Sequence, residues 1–186
     1  MLPERCRKIA LVGTSCVGKT TILEALQKKY ADCPDIGFVP EAARNFFERN
    51  PGIDRFTKET QAKIQTFAIE QEHKINGIPN VIVCDRSPLD AAAYTRAAGD
   101  FEGAGELVAS VLYWMPTYEV LLLLNPADVP YQNDHVRSED ANFRQQVHDA
   151  FVHILEENKI PYMLLCGTFE ERLKQIDVLI REFQNL

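Results

Sequence analysis

The sequence predicts an α/β fold in three layers, with helices on both faces of a mainly parallel, five-stranded sheet. Two patterns carry this expectation. Short apolar runs alternate with longer amphipathic segments, as repeated βα units require. The runs are four to five residues long and mostly continuous in apolar character, as strands covered on both faces should be. A chain of 186 residues suits one domain over 1–186, since two would each be cramped.

The elements follow in order. A first strand is expected at 8–12, then a glycine-rich turn and a helix over 21–30 with Ile22, Leu23 and Leu26 on one side. A second strand is expected at 36–39, and Pro51-Gly52 marks 50–55 as a turn. The third strand is expected at 81–84. Ser87-Pro88-Leu89-Asp90 then offers a capping hydroxyl, a proline at the first helical position and an acid in the first turn. The fourth strand is expected at 120–124. The stretch 125–138 holds Pro126 and Pro130 among polar residues and reads as a long loop. A helix over about 139–158 carries Phe143, Val147, Phe151, Ile154 and Leu155 on one stripe. After a fifth strand at 162–165, Thr168-Phe169-Glu170-Glu171 fits a capping box. Leu173, Ile176, Leu179, Ile180 and Phe183 follow it at helical spacing. The strands at 8–12 and 81–84 are expected at the centre of the sheet.

Composition narrows the function. With 46% hydrophobic and 25% charged residues and a mean hydropathy of -0.21, the chain has too much apolar material for disorder. Its longest apolar runs fall far short of the roughly 20 residues a membrane helix needs. A net charge of -7 offers no general attraction to nucleic acid or anionic lipid. An anionic ligand must therefore be held locally. The five cysteines, with no C-x-x-C pair, read as reduced thiols. The apolar stretch behind Arg5, Arg7 and Lys8 is too short for a signal-peptide core, so a cytoplasmic location is expected. The four histidines lack metal-ligand spacing and are expected to be non-catalytic. Trp114, with Val111, Leu112, Tyr113 and Met115, is expected to pack in the core.

The strongest signal is Gly13-Thr14-Ser15-Cys16-Val17-Gly18-Lys19-Thr20, which fits G-x-x-x-x-G-K-[ST] at every fixed position. It follows an apolar strand and opens an amphipathic segment that begins at Thr21. Triphosphate oxygens need many donors at close range. Glycines let consecutive N–H groups turn into one concavity at a helix N-terminus. Lys19 adds a point charge near the β and γ phosphates, and the Thr20 hydroxyl can ligate Mg²⁺. ATP and Mg²⁺ are the expected cofactors.

Further residues extend this reading. The run Val81-Ile82-Val83-Cys84 ends in Asp85, a candidate second metal-holding group, though strand-end aspartates also serve turns. Asp85-Arg86-Ser87 lacks the glycine of the D-x-x-G switch, and no N-K-x-D motif occurs, which argues against a GTPase. Glu41 and Arg44 follow the second strand three positions apart and share a helical face. They can project together into a ligand crevice. Glu41 reads either as a catalytic base or metal-water ligand, or as a first-turn acid complementing the helix dipole. Arg137 and Arg144, seven apart, can stack along one helix side and reach a transferred phosphoryl group; the alternative is a solvated charged face.

Taken together these residues resemble the P-loop kinases of the nucleoside and nucleotide kinase type, most closely the kinase-like domains related to the ribosylnicotinamide kinase part of NadR proteins. The resemblance is carried by Gly13 to Thr20, Pro40-Glu41-Ala42-Ala43-Arg44, Asp85-Arg86-Ser87, His135-Val136-Arg137-Ser138-Glu139-Asp140 and Cys166-Gly167-Thr168-Phe169-Glu170-Glu171-Arg172. It implies a P-loop NTPase sheet in the order 2-3-1-4-5. It also implies a lid-like segment at about 126–145, with Arg137 and Arg144 gripping the ATP phosphates. Glu41 would act at the acceptor hydroxyl or metal, Arg86 would contact phosphate or substrate, and Gly167 and Thr168 would lie near the adenine.

The function expected is an Mg-ATP-dependent phosphotransferase acting on a small hydroxyl acceptor, such as a nucleoside or a ribosylnicotinamide-like compound. The competing reading is a nucleotide-dependent ATPase or switch acting on a protein partner. A larger AAA-type motor is disfavoured because 186 residues leave no room for its additional helical domain. A vestigial binding scaffold would require an impaired Lys19 or Thr20, and both are intact. The pattern leaves the acceptor and the oligomeric state open.

Overall fold

The computed structural model describes residues 6–55, 57–75, 77–129 and 141–184. Five strands form one sheet in the order β2-β3-β1-β4-β5. They are β1 (Arg7–Val12), β2 (Ile36–Val39), β3 (Val81–Asp85), β4 (Tyr118–Leu124) and β5 (Tyr162–Leu165), and all neighbours pair in parallel. The helices are α1 (Lys19–Lys29), α2 (Ala42–Arg49), α3 (Lys58–Ile75), α4 (Leu89–Ala97), α5 (Phe101–Val111), α6 (Ala141–Glu157) and α7 (Phe169–Gln184). The expected order and the central places of β1 and β3 are both found.

Continuous apolar strands supply two cores because successive side chains point to opposite faces. Ala10, Val12, Leu121 and Leu123 join residues of α4, α5 and α6 on one face. Ile9, Leu11, Leu122 and Leu124 join Ile22, Leu23 and Leu26 of α1 and Ile176 and Ile180 of α7 on the other. The α6 stripe packs as its spacing predicts, with Val147, Phe151, Ile154 and Leu155 buried and Phe143 partly so. Among the described residues no helix is long and apolar enough to cross a membrane.

Local signals hold with two changes. The Thr168 box forms reciprocally: the Glu171 amide donates to Thr168 Oγ1 at 3.3 Å, and the Thr168 amide donates to a Glu171 carboxylate oxygen at 2.8 Å. At the start of α4 the roles invert. Pro88 stands just outside the helix, and the Asp90 carboxylate accepts from the Ser87 amide at 2.9 Å and from its hydroxyl at 3.3 Å. The serine hydroxyl is therefore a donor to the acid, not an acceptor for the helix. Around Trp114 the expected core is only half present. Trp114, Val111 and Met115 are buried, whereas Leu112 and Tyr113 are exposed, because the chain turns outward between α5 and β4. The helix expected from 139 is described from Ala141 onward.

Candidate functional site

The C-terminal ends of β1, β2 and β3 gather the predicted residues Gly13 to Thr20, Glu41, Arg44, Asp85 and Arg86, as an open parallel sheet gathers ligands where strand order reverses. After β1 the backbone turns through Gly13 at φ 131°, Cys16 at φ 54° and Gly18 at φ 91°, and α1 begins at Lys19. At Gly13 any Cβ would stand 3.2 Å from the Leu124 carbonyl oxygen, so β4 closes one side of the turn. Gly18 has open space around it; there the positive φ alone favours glycine. Thr14, Ser15 and Val17 are buried and Thr21 is exposed on the first turn of α1.

Lys19 is buried and folds over this turn, donating to the carbonyls of Gly13, at 2.8 Å, and Thr14. Burial, helped by the nearby Arg86 guanidinium, pulls its pKa down to about 7 against the pull of Asp85, Asp90 and Glu41. The Thr20 hydroxyl donates to Asp85 at 2.7 Å, joining the start of α1 to the end of β3. The other Asp85 oxygen, Oδ1, is buried with no hydrogen-bond partner among the described residues. A carboxylate oxygen held this way is costly unless a cation or donor meets it. Thr20 and Asp85 thus present oxygens to a hard cation, and Mg²⁺ takes only one or two protein ligands beside phosphate and water. These residues fit Mg²⁺, and no group of three or more metal-binding side chains occurs among the described residues.

Beside this pair opens a cavity of about 1250 Å³, its walls drawn from α2, α3, α4 and the loops after β2 and β3. Glu41 caps α2 by position but makes no side-chain cap hydrogen bond. Its carboxylate instead accepts from Arg86 Nε at 2.9 Å, with Arg44 Nε 4.0 Å away at the exposed rim. Arg86 sits at φ 85° just beyond β3, its amide donating to the Leu11 carbonyl at 2.9 Å. Its Nη1 donates to Asp90 at 2.9 Å. Burial opposes the Arg86 charge, yet Glu41, Tyr94 and Asp90 keep its pKa well above the ordinary value. Burial pushes the Asp90 carboxyl up, against Arg86 and Lys19.

Arg144 departs from the solvated-face alternative: it is buried, and Nη2 lies 3.4 Å from the Cys16 carbonyl and 3.5 Å from that of Val129. Arg137 and most of the lid-like segment lie outside the described residues. The amides of Gly167 and Thr168 are both engaged, with Asp128 and Glu171. Sequence reasoning missed Asp90 as a partner of Arg86, although the i,i+4 spacing between them was visible. It also gave no role to Asp128, or to Arg172 at the end of the 166–172 run.

A family model described as an AAA domain matches residues 8–172. No curated protein sequence matches the chain. Among solved structures, NadR protein in complex with NR superposes with a TM-score of 0.76 at 17% identity, covering 98% of this chain and 50% of that one. The chain thus spans about half the length of NadR. Thymidylate kinase from Candida albicans gives 0.64 at 18% identity, covering 97% and 93%. Deoxyadenosine kinase from M. mycoides gives 0.62 at 14% identity, covering 94% and 99%. The three share the fold, and with the family model matching most of its length, this chain belongs to the AAA domain family of P-loop proteins.

Proposed function

We propose that the protein is an Mg-ATP-dependent phosphotransferase acting on a small hydroxyl acceptor of the nucleoside or ribosylnicotinamide-like kind. The observation that carries this reading is the cavity that opens directly beside the Thr20–Asp85 pair, with Glu41, Arg86 and Asp90 in its wall. A nucleotide hydrolase needs no second chamber there. A kinase needs one large enough for its acceptor, and ligand sites commonly measure about 300–1000 Å³.

In this reading the amides from Gly13 to Thr21 receive the triphosphate, and Lys19 leaves the loop carbonyls to pair with phosphate oxygens. Thr20 and Asp85 hold Mg²⁺, which neutralises phosphate charge when bound. Glu41 receives the acceptor hydroxyl and draws on its proton, while Arg86 fixes the carboxylate in place. Asp90 sets that guanidinium from the inner end, and Arg44, beside Glu41 at the exposed rim, lines the acceptor's entrance. Arg144, and Arg137 from the neighbouring stretch, add positive charge to offset the negative charge of the transferred phosphoryl group in the transition state. Gly167 and Thr168 flank the base. A phosphomonoester acceptor fits poorly at the inner end, where Glu41, Asp85 and Asp90 crowd a guanidinium that two of them already occupy.

The similarity of fold to NadR, thymidylate kinase and deoxyadenosine kinase supports the reaction class. The test is ATP consumption against a panel of nucleosides, pyridine ribosides and nucleoside monophosphates. Acceptor-dependent consumption with a phosphorylated hydroxyl product is expected. Slow hydrolysis indifferent to every acceptor would replace this reading with an ATPase or switch that works on a protein partner.

A further inference from the structure

We infer that Arg172 is a positioning residue for the nucleotide, its guanidinium holding the 13–20 loop and the β5–α7 turn as one rigid unit. This rests on the proposed triphosphate site.

Arg172 stands in the first turn of α7, on the opposite side of the sheet from the acceptor cavity, and is among the most deeply buried large side chains. Nη1 donates to the carbonyl of Val17, inside the glycine-rich turn, at 3.0 Å. Nη2 donates to the carbonyl of Asn125, at the end of β4, at 3.1 Å, and to an Asp128 carboxylate oxygen at 3.0 Å. That same Asp128 oxygen accepts the Gly167 amide at 2.8 Å. Three chain segments far apart in sequence therefore meet on one planar fork.

The arrangement is specific to a guanidinium. Its fixed, planar donors reach two carbonyls and a carboxylate at once, which a lysine ammonium on a flexible stem cannot copy. The Asp128 carboxyl is held below the usual carboxylate range, first by the Gly167 amide and then by Arg172. Nε of Arg172 is buried with no partner among the described residues, a cost that pure packing would have avoided with an apolar side chain. At Gly167, φ is 103° and a Cβ would stand 2.6 Å from a Glu171 carboxylate oxygen. The turn is thus tightly determined where it takes Asp128.

The consequence is geometric. A triphosphate cradle works only if its amides already point inward, because reorganisation would be charged against binding. With its carbonyl tied to Arg172, Val17 cannot rotate its peptide, and the next amide, that of Gly18, keeps its direction.

The test uses the whole chain with Arg172→Met, Arg172→Lys and Asp128→Asn. Affinities for Mg-ATP and for Mg-tripolyphosphate are measured by calorimetry about ten degrees below each variant's own melting point, so that only folded protein is titrated. Arg172→Met should weaken both ligands about tenfold or more. Arg172→Lys should recover part of that loss. Asp128→Asn should weaken ATP and act non-additively with Arg172→Met. A lowered melting point with unchanged affinities across the folded variants would overturn the inference, reducing Arg172 to a purely structural contact. Should Arg172→Met fail to fold, Arg172→Lys and Asp128→Asn read the same coupling. Failure of the unaltered chain to bind either ligand would instead overturn the triphosphate site, and this inference with it.

Discussion

Two buried clusters of charge sit at opposite ends of the central strands, and they are built on different terms. At the start of β1, Lys8 pairs with Glu72 at 3.2 Å, both almost fully buried. Glu72 also accepts from Trp114 Nε1 at 3.0 Å and from the Tyr118 hydroxyl, and the Lys8 ammonium lies 4.2 Å from the Trp114 ring centre. Every strong partner there is taken. At the other end, Asp85 keeps a buried oxygen with no partner among the described residues, Lys19 rests on carbonyls with its pKa pulled to about 7, and the wall opens into a cavity. Burial alone does not separate a structural ion pair from a functional one. Residual, unmet demand for a ligand does.

Removing Glu72 should break the satisfied cluster outright. Glu72→Ala leaves the Lys8 ammonium buried and unpaired, at a cost of about 3–5 kcal/mol in unfolding free energy. Denaturant melts read it directly. Glu41→Gln should do the reverse: the amide oxygen still accepts from Arg86, so stability and ATP binding persist. Turnover should fall about a hundredfold or more with the loss of a proton acceptor. Steady-state rates and calorimetry separate the two effects, and unaltered turnover would return Glu41 to a role at the helix start.

Lys19 gives a smaller effect of definite sign. Its folded pKa of about 7 lies below its ordinary value of 10.5, so between these values the unfolded chain binds the extra proton. Stability should therefore rise with pH across that window and drain away as pH falls towards 7. Lys19→Met should flatten that slope by up to one proton while abolishing ATP binding; melts from pH 7 to 10 supply the measurement. Smallest of all is the exposed pair Lys58–Glu106, at 2.8 Å on the surface. Lys58→Ala should leave the denaturant midpoint unchanged within error, showing that ion pairing without burial weighs little.

The sequence exposes the fold because each strand is an apolar run bounded by turns, and α1, α6 and α7 carry legible stripes and α4 a start signal; α2, α3 and α5 are not marked in this way. Boundaries slipped by one or two residues at β1, β3 and β4. Arg7, Asp85, Tyr118 and Glu119 join the sheet through their backbones, which polarity does not reveal. The glycine-rich turn was legible because its function lies in main-chain geometry that only certain residues permit. Arg172 was not legible. Its partners are carbonyls of residues 155 and 47 positions away, and any residue supplies a carbonyl. Asp90 fell between the two, visible as a helix-start acid but not as the second anchor of Arg86.

The most direct measurement is a calorimetric titration with ATP and Mg²⁺ near pH 8, repeated in two buffers of different protonation enthalpy. Phosphate charge beside Lys19 restores its proton, so binding should occur with an uptake approaching one proton. Folded protein that binds no nucleoside triphosphate, or binds it with no proton uptake, would contradict the account.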